Sequence, residues 1–411
     1  MRVSTHRSDL LRFALLFSAL YLAFGVASPF LPAFFSSRGL APEQVGLALS
    51  LATTIRLLSG PFAGRLADRL HALRAVLAIC TAMAGLMALG LVPAQGFLLL
   101  LVVSLLHAAM LAPTTVLADA LALGAASPPG VARPRFEYGW VRGAGSAAFI
   151  VGSLVSGQAI GALGPTAILV LQAAFLIIAA VTTLLVPELI VSREGEPAGT
   201  QPLETTASIL DLVRMPAFRR LVLVAALVLG SHAMHDSFAM ISWNAAGIST
   251  GVGSILWSES VAAEVVVFLG LGPFVLRHVK PEVAMAVAAV AAVLRWAVMA
   301  HTSDVLILAL IEPLHGLTFA LLHLSCMRVL VAIVPRALAA TAQAVYATLG
   351  IGATSAVLTL LSGLLYAQFA SRGFWAMAAL AMAALPLLSL PQGLRSRRYR
   401  HVPTWSAAAM R

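Results

Sequence analysis

Six ionisable side chains lie in segments of the second half of the chain that are otherwise as apolar as lipid. They are Glu264, Arg295, Glu312, His315, His323 and Arg328. A charged group near the centre of a bilayer is costly, so such residues mark the path of an ion or a substrate. Carboxylates and imidazoles exchange protons, and guanidinium groups bind anions. The set predicts proton transfer coupled to passage of a solute; the alternative is a static ion-pair network that holds helices together.

The composition indicates a polytopic membrane protein. Of the 411 residues, 60% are hydrophobic and 10% are charged, and the mean hydropathy is +0.96. A helix needs about 20 apolar residues to cross a bilayer, and stretches of that length recur about twelve times. We expect them near 11–35, 44–63, 73–93, 96–122, 140–161, 165–186, 219–243, 251–276, 283–302, 304–330, 340–368 and 373–391. The predicted fold class is an all-α integral membrane protein.

The positions of the basic residues predict the orientation, because short basic loops stay on the cytoplasmic side. With both termini in the cytoplasm, the outer loops contain only Arg38 and Arg372. The inner loops contain Arg65, Arg69, Arg74, Arg133, Arg135, Arg193, Arg214, Arg219, Arg220, Arg277, Lys280 and Arg336. This distribution explains the formal net charge of +10 without a nucleic-acid partner. We expect a multi-pass protein of a bacterial-type inner membrane.

A polar stretch divides the chain into two halves. Residues 188–216 are rich in Glu, Pro and Gly, which is typical of a linker. We expect an N-terminal six-helix bundle at 1–187, a cytoplasmic linker at 188–216, a C-terminal six-helix bundle at 217–392 and a basic cytoplasmic tail at 393–411. Cys80 and Cys326 lie in separate predicted spans, so neither a disulfide framework nor a zinc site is indicated. We expect a monomer without a cofactor.

In the first half, Asp119 and Arg142 lie about equally far from the turn between spans four and five. Antiparallel packing would put them at one level, so we expect an ion pair, and we assign Asp119 with Arg142 to the substrate-binding site. A guanidinium fits a carboxylate through two parallel hydrogen bonds, which makes Arg142, and Arg56 in span two, candidates for binding an anionic substrate. Arg56 could instead extend its side chain to the membrane surface. His107 is interpreted as a packing residue of span four.

His232, His235 and Asp236 share one face of a predicted helix, at the spacing i, i+3 and i+4. This spacing also suits a metal site or an acyltransferase, which motivates a hypothesis from another class, an intramembrane enzyme. No second cluster of Cys, His or carboxylate in the sequence obviously completes a metal site. We therefore expect no metal and no enzymatic activity, and we interpret His232 and Asp236 as substrate-cavity residues. The sequence contains no nucleotide-binding motif, which disfavours ATP-driven transport.

Residues 64–69 read Gly-Arg-Leu-Ala-Asp-Arg and stand in the loop predicted between spans two and three. They resemble the Gly-x-Leu-Ala-Asp-Arg signature of the major facilitator superfamily. The resemblance implies two six-helix bundles that rock around a substrate site near the midplane. It also implies a cytoplasmic conformational latch formed by Gly64, Asp68 and Arg69. The glycine that follows in the family is absent, since Leu70 and His71 occupy that stretch.

Other segments resemble narrower branches of the superfamily. Residues 136–143, Phe-Glu-Tyr-Gly-Trp-Val-Arg-Gly, are similar to lactose permease and its proton-symporter relatives. The segments 243–247, 263–265, 294–296, 314–319 and 327–328, together with His323, resemble the 3-phenylpropionate transporter branch. This resemblance makes Arg142 the stronger substrate-binding candidate of the two arginines in the first half.

The same resemblance implies a proton-coupling group. Glu264 would belong to the coupling region, Arg295 would help a carboxylic acid to release its proton, and His315 would link the two. All three lie within about three residues, or roughly 5 Å, of the predicted middle of their spans. Glu312, one turn before His315, is an alternative proton carrier. For His323 and Arg328, nearer the cytoplasm, structural and functional roles both remain open.

These observations predict a secondary active transporter that imports a small organic solute together with protons. The excess of intramembrane arginine favours an anion, and the branch resemblance favours an aromatic monocarboxylate such as 3-phenylpropionate. The alternatives are a sugar or nucleoside proton symporter, a drug efflux antiporter and, from another class, the intramembrane enzyme. The expected partners are the substrate, protons and the lipid bilayer.

Overall fold

The protein is built from long helices. The computed structural model describes residues 2–127, 135–188, 209–335 and 338–389, and these ranges contain no β-strand. Apolar segments adopt helices in lipid because a helix pairs its backbone amides and carbonyls internally, where no water is present to do so. The all-α prediction is confirmed. Most of the expected linker at 188–216 and the whole basic tail at 393–411 lie outside the described residues.

The described part of the first half contains seven helices. They are α1 (Arg2–Ala27), α2 (Leu31–Ser37), α3 (Pro42–Leu70), α4 (Leu73–Leu91), α5 (Phe97–Ala126), α6 (Tyr138–Leu163) and α7 (Ala167–Leu185). The short helix α2 continues the first span after a turn at residues 28–30, so these seven helices form six segments long and apolar enough to cross a membrane.

The helices of the second half are more broken. They are α8 (Ile209–Arg214), α9 (Pro216–Gly230), α10 (Ala233–Ala245), α11 (Thr250–Val266), α12 (Gly272–His278), α13 (Pro281–His301), α14 (Val305–Ile311), α15 (Leu322–Ile333), α16 (Ala339–Val345), α17 (Thr354–Phe369), α18 (Phe374–Ala383) and α19 (Leu385–Ser389). Three π-helical turns, Val267–Leu271, Gly316–Leu321 and Tyr346–Ala353, interrupt spans, and a 3₁₀ turn at Glu312–Leu314 precedes the second of them.

Eleven segments of the described chain are long and apolar enough to cross a membrane. The last of them, Thr341–Leu388, has 48 residues, about twice what one crossing needs. A 3₁₀ turn at Ala370–Gly373 breaks it, and Ala370 there has φ of 50°. Divided at that turn, it supplies the predicted spans eleven and twelve.

One sequence-based placement is wrong. Residues 64–69 were expected in a loop, but they form the last turns of α3, which ends at Leu70. The helix continues because the segment contains no proline after Pro61. It stops at His71, whose left-handed backbone (φ 50°) ends the helical hydrogen bonding.

The two halves touch through α3 against α17 and through α6 against α11. Both contacts are tight because glycines remove the side chains between the backbones. A Cβ atom on Gly363 would stand 2.7 Å from the carbonyl oxygen of Pro42, and one on Gly157 would stand 2.7 Å from that of Thr250. Thr250 Oγ1 also donates a hydrogen bond of 3.0 Å to the Gly157 carbonyl. We call this end of the bundle the closed end.

Replacing Gly363 with leucine is expected to separate the halves at the closed end, because the new side chain would collide with backbone that cannot move aside. The measurement is labelling of Ser355→Cys, a cavity position on α17, with a membrane-impermeant maleimide added to each side of sealed vesicles. We expect labelling from the closed side to become several-fold faster. Gly143→Leu supplies the matched control, because Gly143 lies on α6 with open space around it and without a positive φ. Unchanged labelling would show that the glycine contact does not hold this end shut.

Candidate functional site

A cavity of about 520 Å³ lies between the two halves. Its first-half wall includes Phe24, Thr53, Arg56, His107, Phe149 and Gln172, and its second-half wall includes His232, His235, Asp236, Trp257, His315 and Phe319. Ligand cavities of small-molecule sites measure roughly 300–1,000 Å³ and are mostly apolar with a few polar groups. The composition and size of this cavity fit that description.

The polar residues of the second half lie where its helices are interrupted. The break between α9 and α10 falls at Ser231–His232, and the tenth span changes from α to 3₁₀ to π between Glu312 and Leu321. Such interruptions occur frequently at functional sites. Trp296 on α13 spans the first break by donating a 2.8 Å hydrogen bond from Nε1 to the Ser231 hydroxyl.

A buried ion pair forms the centre of the site. Arg295 on α13 and Glu312 both have fully buried side chains, and the guanidinium donates a 2.5 Å hydrogen bond to Glu312 Oε2. The guanidinium carbon lies 4.7 Å from the ring centre of Trp296. Two opposite charges in contact cost far less to bury than one alone. The pair therefore provides a neutral, rigid centre to which the neighbouring groups attach.

His235 connects this pair to the cavity. Its Nδ1 lies 3.4 Å from Asp236 Oδ1, and the Asp236 side chain is 58% exposed. Its Nε2 lies 3.2 Å from an Arg295 nitrogen and 3.4 Å from Glu312 Oε1. When Nε2 carries no proton it accepts from Arg295, and when it carries one it donates toward Glu312. His235 thus has a partner in both protonation states, which suits a residue that gains and loses protons.

His315 connects the same pair to Glu264. Its Nδ1 lies 3.0 Å from an Arg295 nitrogen, and arginine can only donate, so Nδ1 is the acceptor. The proton of the neutral ring is therefore on Nε2, which lies 3.4 Å from Glu264 Oε2. The Glu264 side chain is 25% exposed. The expectation that His315 links Glu264 with Arg295 agrees with this geometry.

His232 lies beside the network without joining an acid. Its Nε2 is 2.9 Å from the Thr318 hydroxyl, and its Nδ1 is 3.1 Å from the carbonyl of Val228. The ring packs edge-on to His315 with 5.3 Å between centres. His232 and Asp236 both line the cavity, as their interpretation as cavity residues requires.

The expected ion pair between Asp119 and Arg142 is present, with 3.7 Å between charged atoms. Two tyrosines complete this cluster. Tyr138 donates a 2.7 Å hydrogen bond to Asp119, and Arg142 donates to the Tyr21 hydroxyl and lies over the Tyr21 ring. Neither Arg142 nor Asp119 lines the central cavity. Their side chains are 42% and 34% exposed, in the part of the bundle away from the closed end.

The remaining candidates lie outside the network. Asp68 and Arg69 are exposed at the end of α3 and form no ion pair within the described ranges, so the latch stays a prediction. The His323 ring lies 6.1 Å from those of Phe268 and Tyr346, and Arg328 donates to the backbone carbonyl of Leu276. These contacts fit structural roles for the two residues.

Sequence reasoning did not assign His235, Tyr21, Tyr138 and Thr318 to the site. The spacing of His232, His235 and Asp236 was visible, but it was evaluated as a metal site. The described residues contain no group of three or more metal-binding side chains. A tyrosine or threonine in a span gives no comparable signal, because both occur widely as packing residues.

Comparisons with known proteins agree with this architecture. The model of the MFS_1 like family matches residues 10–377. The chain is 29% identical over 370 residues to the "Probable 3-phenylpropionic acid transporter" of Escherichia coli (strain K12), covering 89% of this chain and 93% of the relative. It is 24% identical over 314 residues to the "Uncharacterized transporter YwbF" of Bacillus subtilis (strain 168), covering 76% and 75%.

Two solved structures share the fold. The nucleoside transporter NupG has a TM-score of 0.77 at 18% identity, covering 93% of this chain and 99% of that one. A bacterial homologue of the human lysosomal transporter Spinster has a TM-score of 0.72 at 17% identity, covering 93% and 96%. The resemblance inferred from residues 64–69 and from the second-half segments is confirmed.

Proposed function

Because the chain belongs to the MFS_1 like family of membrane transporters, we propose that it is a proton-coupled symporter that imports a small organic acid. An aromatic monocarboxylate such as 3-phenylpropionate is the substrate we favour. The printed name of the Escherichia coli relative supports this choice. The apolar and aromatic lining of the cavity, with arginine in its wall, supports it independently.

The observation that carries the proposal is the pair of histidine–carboxylate arms attached to one buried ion pair. One arm, His235 with Asp236, contacts Arg295 at Nη2, and the other, His315 with Glu264, contacts it at Nη1; both histidines line the cavity. A proton added to one arm changes the electrostatic energy of the other, because the two share Arg295. Coupling of this kind lets proton binding depend on the conformation around the cavity.

We further propose the orientation and domain plan that the sequence predicts. Both termini lie in the cytoplasm of an inner-membrane protein, with six-helix bundles at 1–187 and 217–392, a linker at 188–216 and a tail at 393–411. The closed end then faces outward, and the opposite end of the bundle faces the cytoplasm. The protein works as a monomer, binds no metal or cofactor and catalyses no reaction.

Transport of labelled 3-phenylpropionate into liposomes tests the proposal. A monoanion carried with one proton moves no net charge. We therefore expect about tenfold accumulation per unit of imposed pH gradient and no response to a membrane potential. Protein-free liposomes in the same gradient measure passive entry of the undissociated acid, which is subtracted.

A neutral sugar and a nucleoside are measured beside the acid. A neutral solute carried with one proton is electrogenic, and 100 mV, or about 2.3 kcal/mol, would support roughly fiftyfold accumulation. That result would move the assignment to sugars or nucleosides. Absence of uptake for all three solutes under both gradients would contradict import and direct attention to efflux.

A further inference from the structure

We propose that Arg56 binds the substrate carboxylate, and that the acid lies with its apolar body among the aromatic side chains of the cavity. This inference rests on the proposed function and deepens it, because it names the recognition group and the chemical class that the group selects. It also replaces Arg142, which the sequence favoured for this task.

Arg56 is an arginine without a counter-ion among the described residues. It lies in the middle of α3, its side chain is exposed to the cavity, and its one hydrogen bond goes to the hydroxyl of Thr53, one turn earlier, at 3.0 Å. No described carboxylate lies within 4 Å of it. An unpaired cation at this depth is costly unless it faces water or an anion. The N–H donors of the Arg56 guanidinium are therefore available to a ligand.

The two other candidate arginines, Arg295 and Arg142, already have counter-ions. Arg295 is buried against Glu312, and Arg142 is paired with Asp119 and bonded to Tyr21. A carboxylate would have to displace Asp119 to bind Arg142 directly. At Arg56 it displaces only water and the weak contact with Thr53.

The wall around Arg56 contains further polar groups without partners. Within the described part of the chain, His107 Nε2 and Gln172 Oε1 have no hydrogen-bond partner, although both side chains are almost fully buried and both residues line the cavity. Buried polar atoms are normally paired, so such exceptions need an explanation. A polar ligand group on this wall would provide one if either side chain turned toward the cavity on binding.

The second-half wall of the cavity also favours binding of the substrate carboxylate at Arg56. Asp236 presents a carboxyl group to the cavity from the second half, and a substrate carboxylate would be repelled there. Both walls also carry aromatic side chains, namely Phe24, Phe35, Phe149, Trp257 and Phe319. An aromatic ring gains from burial among them, whereas each hydroxyl of a sugar that stayed unpaired there would cost free energy. The cavity therefore selects a flat apolar acid with one carboxylate.

Calorimetric titration of the purified protein with 3-phenylpropionate and with its neutral amide tests this site. Arg56→Met should weaken binding of the acid by roughly ten- to hundredfold, the range for a hydrogen bond to a charged group, and leave binding of the amide unchanged. Arg56→Lys keeps the positive charge but lacks the two parallel donors of the guanidinium. Its affinity for the acid should lie between those of the wild type and Arg56→Met. Arg277→Met, which removes an exposed arginine at the end of α12, is the matched control and should match the wild type.

Unchanged affinity of Arg56→Met for the acid would overturn the inference, as would a larger loss in Arg142→Met than in Arg56→Met. Equal losses for acid and amide would also overturn it, because they would indicate a general change of shape. The Arg56 variants are also checked for unaltered thermal unfolding, which is expected because Arg56 makes no ion pair with a described residue. Binding that depends on Arg56 without gradient-driven uptake would contradict the proposed function and leave this site standing.

Discussion

Replacing Glu264 with glutamine is expected to abolish accumulation of substrate driven by a pH gradient, from about tenfold per pH unit to none. Glutamine keeps the shape of the side chain and its contact with His315 but cannot bind or release a proton at neutral pH. Exchange of substrate across the membrane needs no net proton movement and should continue. Liposome uptake under a pH gradient and counterflow of labelled substrate measure the two activities separately.

Glu259→Gln is the matched control for this prediction. Glu259 lies on the same helix, α11, but forms no ion pair with a described residue, and uptake should be unaffected. Retained uphill transport in Glu264→Gln would remove Glu264 from the coupling path. In that case Asp236 and Glu312 would be the carboxyl groups to test next.

Replacing Arg295 with leucine is expected to destabilise the protein by about 3–5 kcal/mol, because it leaves Glu312 charged, buried and without its partner. This is a large fraction of the total stability of an ordinary domain. It also removes the donor to His235 and to His315, so coupled transport should be lost. The thermal unfolding midpoint of purified protein reports the first effect and pH-driven uptake the second.

The double variant Arg295→Leu with Glu312→Leu separates structure from coupling. Replacing both members of a buried ion pair with apolar residues is often neutral for stability. We therefore expect the unfolding midpoint to recover most of its loss while uptake stays absent. Recovery of both properties would mean that the network only holds helices together, which is the static alternative raised by the sequence. Recovery of neither would indicate that the stability also depends on the contact between Glu312 and His235.

The sequence predicted the depth of each residue along its helix. It did not predict the direction in which each side chain points around the helix axis. A rise of 1.5 Å per residue fixes height, so Glu264, Arg295 and His315 could be placed at one level before any contact was known. Which way each side chain points is set by the apolar and polar faces of a helix. In these spans almost every residue is apolar, and the sequence could not distinguish Arg56, which faces the cavity, from Arg142, which does not.

The sequence also did not predict where the helices are broken. The interruption at Ser231–His232 contains no proline, and it depends on contacts such as the hydrogen bond from Trp296, which join residues distant in sequence. The position of His235 beside Arg295 follows from that break. The loop prediction for residues 64–69 was wrong for the opposite reason. Their basic composition is typical of a loop, but these residues lie on a helix that continues through them.

The three π-helical turns affect how this chain should be aligned with its relatives. A π turn closes its hydrogen bond over five residues instead of four, so it accommodates one residue more than an α-helix of the same length. A relative whose helix is regular at Gly316–Leu321 would need a one-residue gap there. Without the gap, every later position of that span is matched one residue out of register, or about 100° around the helix. Roles transferred to His323 or Arg328 by counting from His315 therefore require a structural superposition first.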